Sequence, residues 1–276
     1  MVSIVLMTIG TAALAFMPTY ETMGILAPIA VLAARLLQGF SAGGEFGSST
    51  AFLVEHVPHR RGFIASWQFA SQGMGQVLSS AFGVGLTIWI TSAEISAWGW
   101  RIPFLFGILV GPVGIYIRNH LEDATPPPSA QHESVVGKVF REQKLPVVLA
   151  VGALAVSTAV NYLVIYMPTY VVKTLNLPPS VGYVATLAAA IAVTILTPIA
   201  GNISDRIGRI RHMIAIGLLM LVSVFPAFLL LTRTQVPVVI VSGVVYLAAL
   251  KATYFGPLAA LMSELSRRRR AKPAWG

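Results

Sequence analysis

The sequence predicts an all-α membrane protein, and three observations carry that prediction. Of its 276 residues, 56% are hydrophobic and only 11% are charged, with a mean hydropathy of +0.77. Soluble domains have roughly 45–50% apolar and about 25% charged residues, so this chain has too little polar surface to cover a globule in water. Its apolar residues gather in eight runs, most of them near the roughly 20 residues that a helix needs to cross a hydrocarbon core. Period-two alternation is absent. A backbone in lipid must satisfy its own hydrogen bonds, which leaves helices or a closed barrel, and the pattern selects helices.

The runs are 2–18, 23–50, 63–90, 99–118, 146–170, 181–203, 212–231 and 236–262. In the first, Ala13-Leu14-Ala15 resembles a signal-peptidase site. A signal peptide needs a basic start, however, and the first lysine or arginine is Arg35, so the run is read as a helix. The second run holds Arg35 and Glu45. Gly39, Gly43 and Gly47 recur four apart, as small residues do where helices pack closely, while Gln38, Ala42 and Glu45 lie within about 80° of Arg35. One side is therefore expected to be close-packed and the other wet. Arg35 stands about 18 Å from the outer end, near the midplane where transporters bind substrate. Intramembrane charge usually faces a bundle interior or an aqueous cavity. Arg35 and Glu45 serve either a ligand or only the packing of neighbouring helices.

In the third run Gln68 and Gln72 fall at i and i+4, placed to hydrogen-bond carboxylates or to bridge helices. Arg101, at the outer edge of the fourth, reads as a snorkelling side chain. Asn161, Tyr162 and Tyr166 give the fifth run a polar and aromatic face, suited either to packing or to a ligand. The sixth and seventh flank GNISDRIGRIRH, residues 201–212, of the form G-x-x-x-D-R-x-G-R. Gly201 and Gly208 allow a tight turn, Asp205 is expected to cap the following helix, and Arg206, Arg209 and Arg211 are placed to pair with carboxylates at helix ends. In the eighth run Lys251 stands about 21 Å from Pro237, too deep to snorkel. Its partner is expected on another helix or in an anionic substrate.

With the N-terminus in the cytoplasm, fourteen of the nineteen lysines and arginines fall on that side. Arg101, Lys173 and Arg233 fall outside. The net charge of +9 is thus a topology signal, and Arg267 to Arg270 read as an anchor rather than a nucleic-acid site. A polar, proline-bearing loop, 119–145, separates a helix bundle at 1–118 from one at 146–265, with a basic tail at 266–276. Glu55 and Glu264 each close a helix before a basic stretch, a weak repeat of the kind transporters carry. There is no cysteine, hence no disulfide or thiolate site. The five histidines fall in or beside loops without metal spacing, and neither a phosphate-binding loop nor a catalytic set appears. No metal, cofactor or enzymatic activity is expected.

The G-x-x-x-D-R-x-G-R loop resembles the major facilitator superfamily. Arg35-x-x-Gln38-Gly39-Phe40-Ser41-x-Gly43-Gly44-Glu45, Arg61-Gly62-Phe63, Ser66-Trp67-Gln68 and Trp98 to Phe104 are similar to motifs of its metabolite:proton symporter family. SWQFASQ, EISAWGWRIPF and the run Tyr166 to Leu177 look most like citrate–proton symporters. The resemblance implies a major facilitator helix bundle with about eight transmembrane helices of an expected twelve, the first run standing where a third helix would. The tail after Glu264 departs from the family pattern and reads as aberrant, so a chain shortened at both ends is expected. The implied activity is inner-membrane symport of protons with a small organic acid, citrate or a related di- or tricarboxylate. Arg35, Gln38, Gln68, Gln72, Asn161, Tyr162 and Lys251 are the candidate substrate residues and Glu45 the candidate proton carrier. Gly201, Asp205, Arg206, Gly208 and Arg209 are the candidate cytoplasmic gating motif. The alternatives are proton symport of a zwitterionic osmolyte such as proline or betaine, against which Lys251 speaks, and a non-transporting remnant. The expected partners are substrate, protons and the lipid bilayer, without nucleic acid.

Overall fold

A computed structural model describes residues 2–56, 60–120 and 144–267, and among them there are helices and no strands. The helices are α1 (Val2–Ala15), α2 (Tyr20–Met23), α3 (Leu26–His56), α4 (Arg61–Trp89), α5 (Ser92–Ala97), α6 (Ile102–Ile108) and α7 (Val110–His120). Then come α8 (Lys144–Lys173), α9 (Pro179–Ile207), α10 (Arg209–Arg233), α11 (Pro237–Phe255) and α12 (Leu258–Arg267). All eight expected runs fall on helix. Among the described residues five stretches are long and apolar enough to cross a membrane: Leu26–Gly43, Gly99–Ile117, Pro179–Ile207, Arg209–Arg233 and Pro237–Glu264. With 29 residues α4 has the length, but Gln68, Gln72 and Gln76 interrupt its apolar character.

Two runs expected to be continuous are broken, and proline accounts for both. The fourth starts with a single 3₁₀ turn, Gly99–Arg101, and breaks again at Leu109 between α6 and α7. Pro112 has no N–H to give the carbonyl four residues back, so the ladder loosens there. Pro257 does the same between α11 and α12.

The chain forms two compact units. The first comprises Met1–Ser49 and Leu86–Gln131. Here α1 packs against α3 and against α6 and α7. Gln38 on α3 donates to the Thr11 hydroxyl (3.0 Å), and Ser41 donates to the Ser3 carbonyl (2.6 Å). Thr8 lies against Gly111, where a Cβ would approach its hydroxyl to 2.5 Å. Arg101 does not reach outward alone. Its guanidinium donates to the carbonyls of Ala97 (2.8 Å) and Met17 (2.9 Å) and lies over the Trp100 ring. Before α5, Thr91 and Glu94 cap each other's backbone reciprocally. The Thr91 hydroxyl, helped by its backbone N–H, holds the Glu94 carboxyl below the usual range.

The close packing expected of the α3 glycines is not found. A Cβ on Gly39 or Gly43 would meet nothing within 4 Å, whereas one on Gly10 of α1 would strike the Gln38 side chain at 2.8 Å. The Gly47 side of the helix lies outside the described residues. The close approach is made by the smaller helix, because Gln38 is the knob and needs a hole.

The second unit comprises Thr50–Gly85 and His132–Gly276. Its core draws Val164, Met167 and Val171 from α8, Ala185, Ala189 and Val193 from α9, Leu231 from α10, and Val244, Leu247 and Ala248 from α11. Alanines and glycines let the backbones approach, which in an apolar solvent is the main source of helix association. A Cβ on Gly182 would stand 2.5 Å from the Pro168 Cα, and one on Gly256 would stand 2.7 Å from the Gly201 nitrogen.

Candidate functional site

Within the second unit α4, α8, α9 and α11 enclose a cavity of about 440 Å³. Lys251 lies on its wall, 7% exposed. Its Nζ donates to Asn161 Oδ1 at 2.6 Å and stands 5.3 Å from the centroid of the Phe255 ring. That ring packs on Phe69 of α4 at 4.4 Å between centroids. The helical spacing places Asn161 on the α11 side of α8, and the four-residue step from Lys251 to Phe255 sets the ring under the ammonium. Among the described residues no carboxylate lines the cavity. The partner of Lys251 was expected on another helix or in an anionic substrate; the helix partner is Asn161, a neutral amide and not an acid. Buried charges are ordinarily paired, so the amide holds Nζ in place while leaving its charge uncompensated among the described residues.

The expected substrate residues separate. Gln72 and Asn161 line this cavity beside Lys251; Gln68 does not. Tyr162 is turned away from it and is 66% exposed, and Tyr166 is 53% exposed. One residue along a helix is a rotation of about 100°, so Asn161 and Tyr162 cannot share the narrow face that a ligand would touch. In the first unit, Arg35 is exposed; its Nη1 donates to Gln38 Oε1 at 3.2 Å and its guanidinium lies 5.8 Å over Phe104. Gln38 is thus engaged at both ends of its amide, by Arg35 and by Thr11. The Glu45 side chain lies outside the described residues, as do the side chains of Glu55 and His56 and the whole of 121–143. Gln76, Ser79, Ser80, Tyr183 and Thr186 complete the polar wall and escaped the sequence reading. The signal was present for α4, because Gln72, Gln76, Ser79 and Ser80 fall at i, i+4, i+7 and i+8.

A second constellation surrounds Asp205. It was expected to cap α10, but it sits in the last turn of α9 and caps α4. Its Oδ1 and Oδ2 accept from the backbone N–H groups of Gly62 (2.9 Å) and Phe63 (3.0 Å). These are first-turn donors with no intrahelical partner, at the positive end of the helix dipole. Arg209 pairs with Asp205 at 3.0 Å and also with Glu264 of α12. Gly208, at φ +93°, makes the turn between α9 and α10, as expected. Gly201 does not take part in that turn. It lies inside α9, where a Cβ would stand 2.6 Å from the Gly62 carbonyl oxygen. Arg206 and Arg211 are exposed. His212, expected at a loop edge, is buried, with Nε2 2.9 Å from the Thr253 carbonyl. Among the described residues no cluster of three or more acidic or histidine side chains could hold a metal ion.

Apolar helices of spanning length, closed by glycine contacts around a polar-walled cavity, define a helical integral membrane protein. The sequence profile of the Major Facilitator Superfamily matches residues 1–276, and the chain belongs to that superfamily. It is 35% identical over 269 residues to a citrate–proton symporter of Klebsiella pneumoniae, covering 96% of this chain and 61% of that one. A citrate–proton symporter of Salmonella typhi is 36% identical over 237 residues, covering 84% of this chain and 55% of that one. The proline/betaine transporter of Escherichia coli K12 is 32% identical over 279 residues, covering 95% and 55%. The chain therefore spans little more than half the length of these relatives. They are named as symporters and transporters, not as enzymes.

Proposed function

We propose that this chain serves proton-coupled symport of a small organic acid, citrate or a related di- or tricarboxylate. Lys251 is the observation that carries the reading: a buried ammonium at a polar-walled cavity, held by a neutral amide and facing no acid among the described residues. An anion supplies the missing counter-charge. The likeness to citrate–proton symporters supports the same class. Arg35, exposed and without a carboxylate partner among the described residues, is proposed to contact substrate too, with Gln38 holding its guanidinium. Uptake of radiolabelled citrate into proteoliposomes under an imposed proton gradient tests the proposal. The likeness to the proline/betaine transporter favours a second reading, a zwitterionic osmolyte. Uptake of labelled proline or betaine, with none of citrate, would establish it.

Glu45 is proposed as the proton carrier on its position in α3. Glu45→Gln is expected to keep exchange of substrate across the membrane but to lose accumulation against a gradient. Accumulation at the normal level would remove Glu45 from the proton path.

The Asp205 constellation, with Gly201, Arg206, Gly208 and Arg209, is proposed as the cytoplasmic gate. That placement follows the fourteen-to-three division of basic residues, with the protein in the inner membrane and its N-terminus inside. Single cysteines replacing Ser129 and Asn176 are expected to react with an impermeant maleimide from opposite sides. Labelling of both from one side would reject the topology.

A further inference from the structure

We propose that the α4 stripe bearing Gln72 and Gln76 makes the cavity selective for hydroxylated carboxylic acids over their deoxy analogues, a proposal that rests on the anion reading of Lys251. Gln72, Gln76, Ser79 and Ser80 all line the cavity, and at about 100° per residue they occupy one face of α4. The side-chain amides of Gln72 and Gln76 make no hydrogen bond to any described residue.

The chemistry of these groups is not that of a purely anionic site. An ionised carboxylate is an acceptor only, and the donors that suit it are the Lys251 ammonium and the free Asn161 amide N–H groups, whose Oδ1 is already taken. A glutamine amide carries an acceptor as well as two donors. When a ligand displaces water from them, the carbonyl oxygens of Gln72 and Gln76 are matched by a donor on that ligand, and an ionised carboxylate supplies none. An alcoholic hydroxyl does, and it accepts from the amide N–H in return. A quaternary ammonium zwitterion supplies none and brings its cation towards Lys251. The wall thus matches a ligand with at least one carboxylate and at least one hydroxyl.

Each hydrogen bond formed in exchange for water contributes about 0.5–1.5 kcal/mol net, and discrimination by a hydroxyl is greatest where the site's own groups would be left unpaired. Because Gln72 is exposed and Gln76 half-buried, the expected preference is modest, about 10-fold. The test is titration calorimetry on the purified chain with citrate and tricarballylate, which differ only by a hydroxyl. Citrate is expected to bind about 10-fold more tightly. Gln76→Leu, and separately Gln72→Leu, should lower that ratio towards one by weakening citrate binding more than tricarballylate binding, with circular dichroism reporting that each variant keeps its helices. Equal binding of the two acids by the unmodified chain, or a ratio that survives both substitutions, overturns the proposal and leaves the anion reading standing. Binding of neither acid overturns the anion reading and the proposal with it.

Discussion

Lys251→Gln is expected to weaken organic-acid binding by roughly 10- to 150-fold, the loss that follows from removing a charge-assisted hydrogen bond of about 1.5–3 kcal/mol. The substitution keeps a hydrogen-bonding end near Asn161 Oδ1 and removes only the charge, so it separates counter-charge from shape. Direct binding of citrate to the detergent-purified variant measures it, with circular dichroism reporting that the helices remain. Lys251→Arg should recover only part of the loss. The planar guanidinium is larger than the ammonium, and it has to fit between Asn161 at 2.6 Å and the Phe255 ring at 5.3 Å. Unchanged affinity in a folded Lys251→Gln variant would make this lysine a packing residue and take away the main physical support for an anion.

Asp205→Ala is expected to destabilise the second unit by about 2 kcal/mol, the upper end of what losing a helix cap costs. Two first-turn N–H groups of α4 lose their acceptor, and Arg209 keeps Glu264 alone. Asp205→Asn, which retains one acceptor oxygen but no charge, should lie between the two. Amide hydrogen exchange at Gly62 and Phe63 reads the effect where it arises. Their exchange should accelerate in the alanine variant, together with a fall in unfolding temperature. Protection that survives would show that α4 is held by its packing and not by this carboxylate.

The helices were legible in the sequence because apolar runs of spanning length have few other uses. Their breaks at Leu109 and at Gly256–Pro257 were not read, although Pro112 and Pro257 stood in view. Inside an apolar run a proline is tolerated often enough to be passed over. At the cavity, Lys251 and Asn161 could each be singled out as polar residues in apolar helices, but their pairing joins residues 90 apart, which no local period encodes. Gln76, Ser79 and Ser80 continue the helical period of Gln72 and were legible in that respect, but serine and glutamine in an apolar helix serve packing as readily as a cavity wall, so the period alone does not single them out. The glycines of α3 misled for the opposite reason. Four-residue spacing shows where a helix could approach closely, and the neighbour decides whether it does. Asp205 was correctly marked as a capping residue and assigned to the wrong helix, because the adjacent N-terminus in sequence is not the adjacent one in space.

Gly62 and Gly201 bring the main chains of α4 and α9 together, and Gly256, just after α11, meets the α9 main chain at Gly201 and Thr197. A long side chain that is immobilised at an interface gives up as much as about 1.5–2 kcal/mol of rotamer freedom, and a glycine gives up none. The three glycines therefore add no rotamer cost of their own to joining the helices; the side chain ordered there is Asp205, which accepts from Gly62 and Phe63. At these three positions the contact carries little entropic penalty in either direction, which is what the gate proposed above would need. The same property leaves it without slack, since a single added methyl group at any of the three positions acts as a wedge against a main chain that has no rotamer to yield.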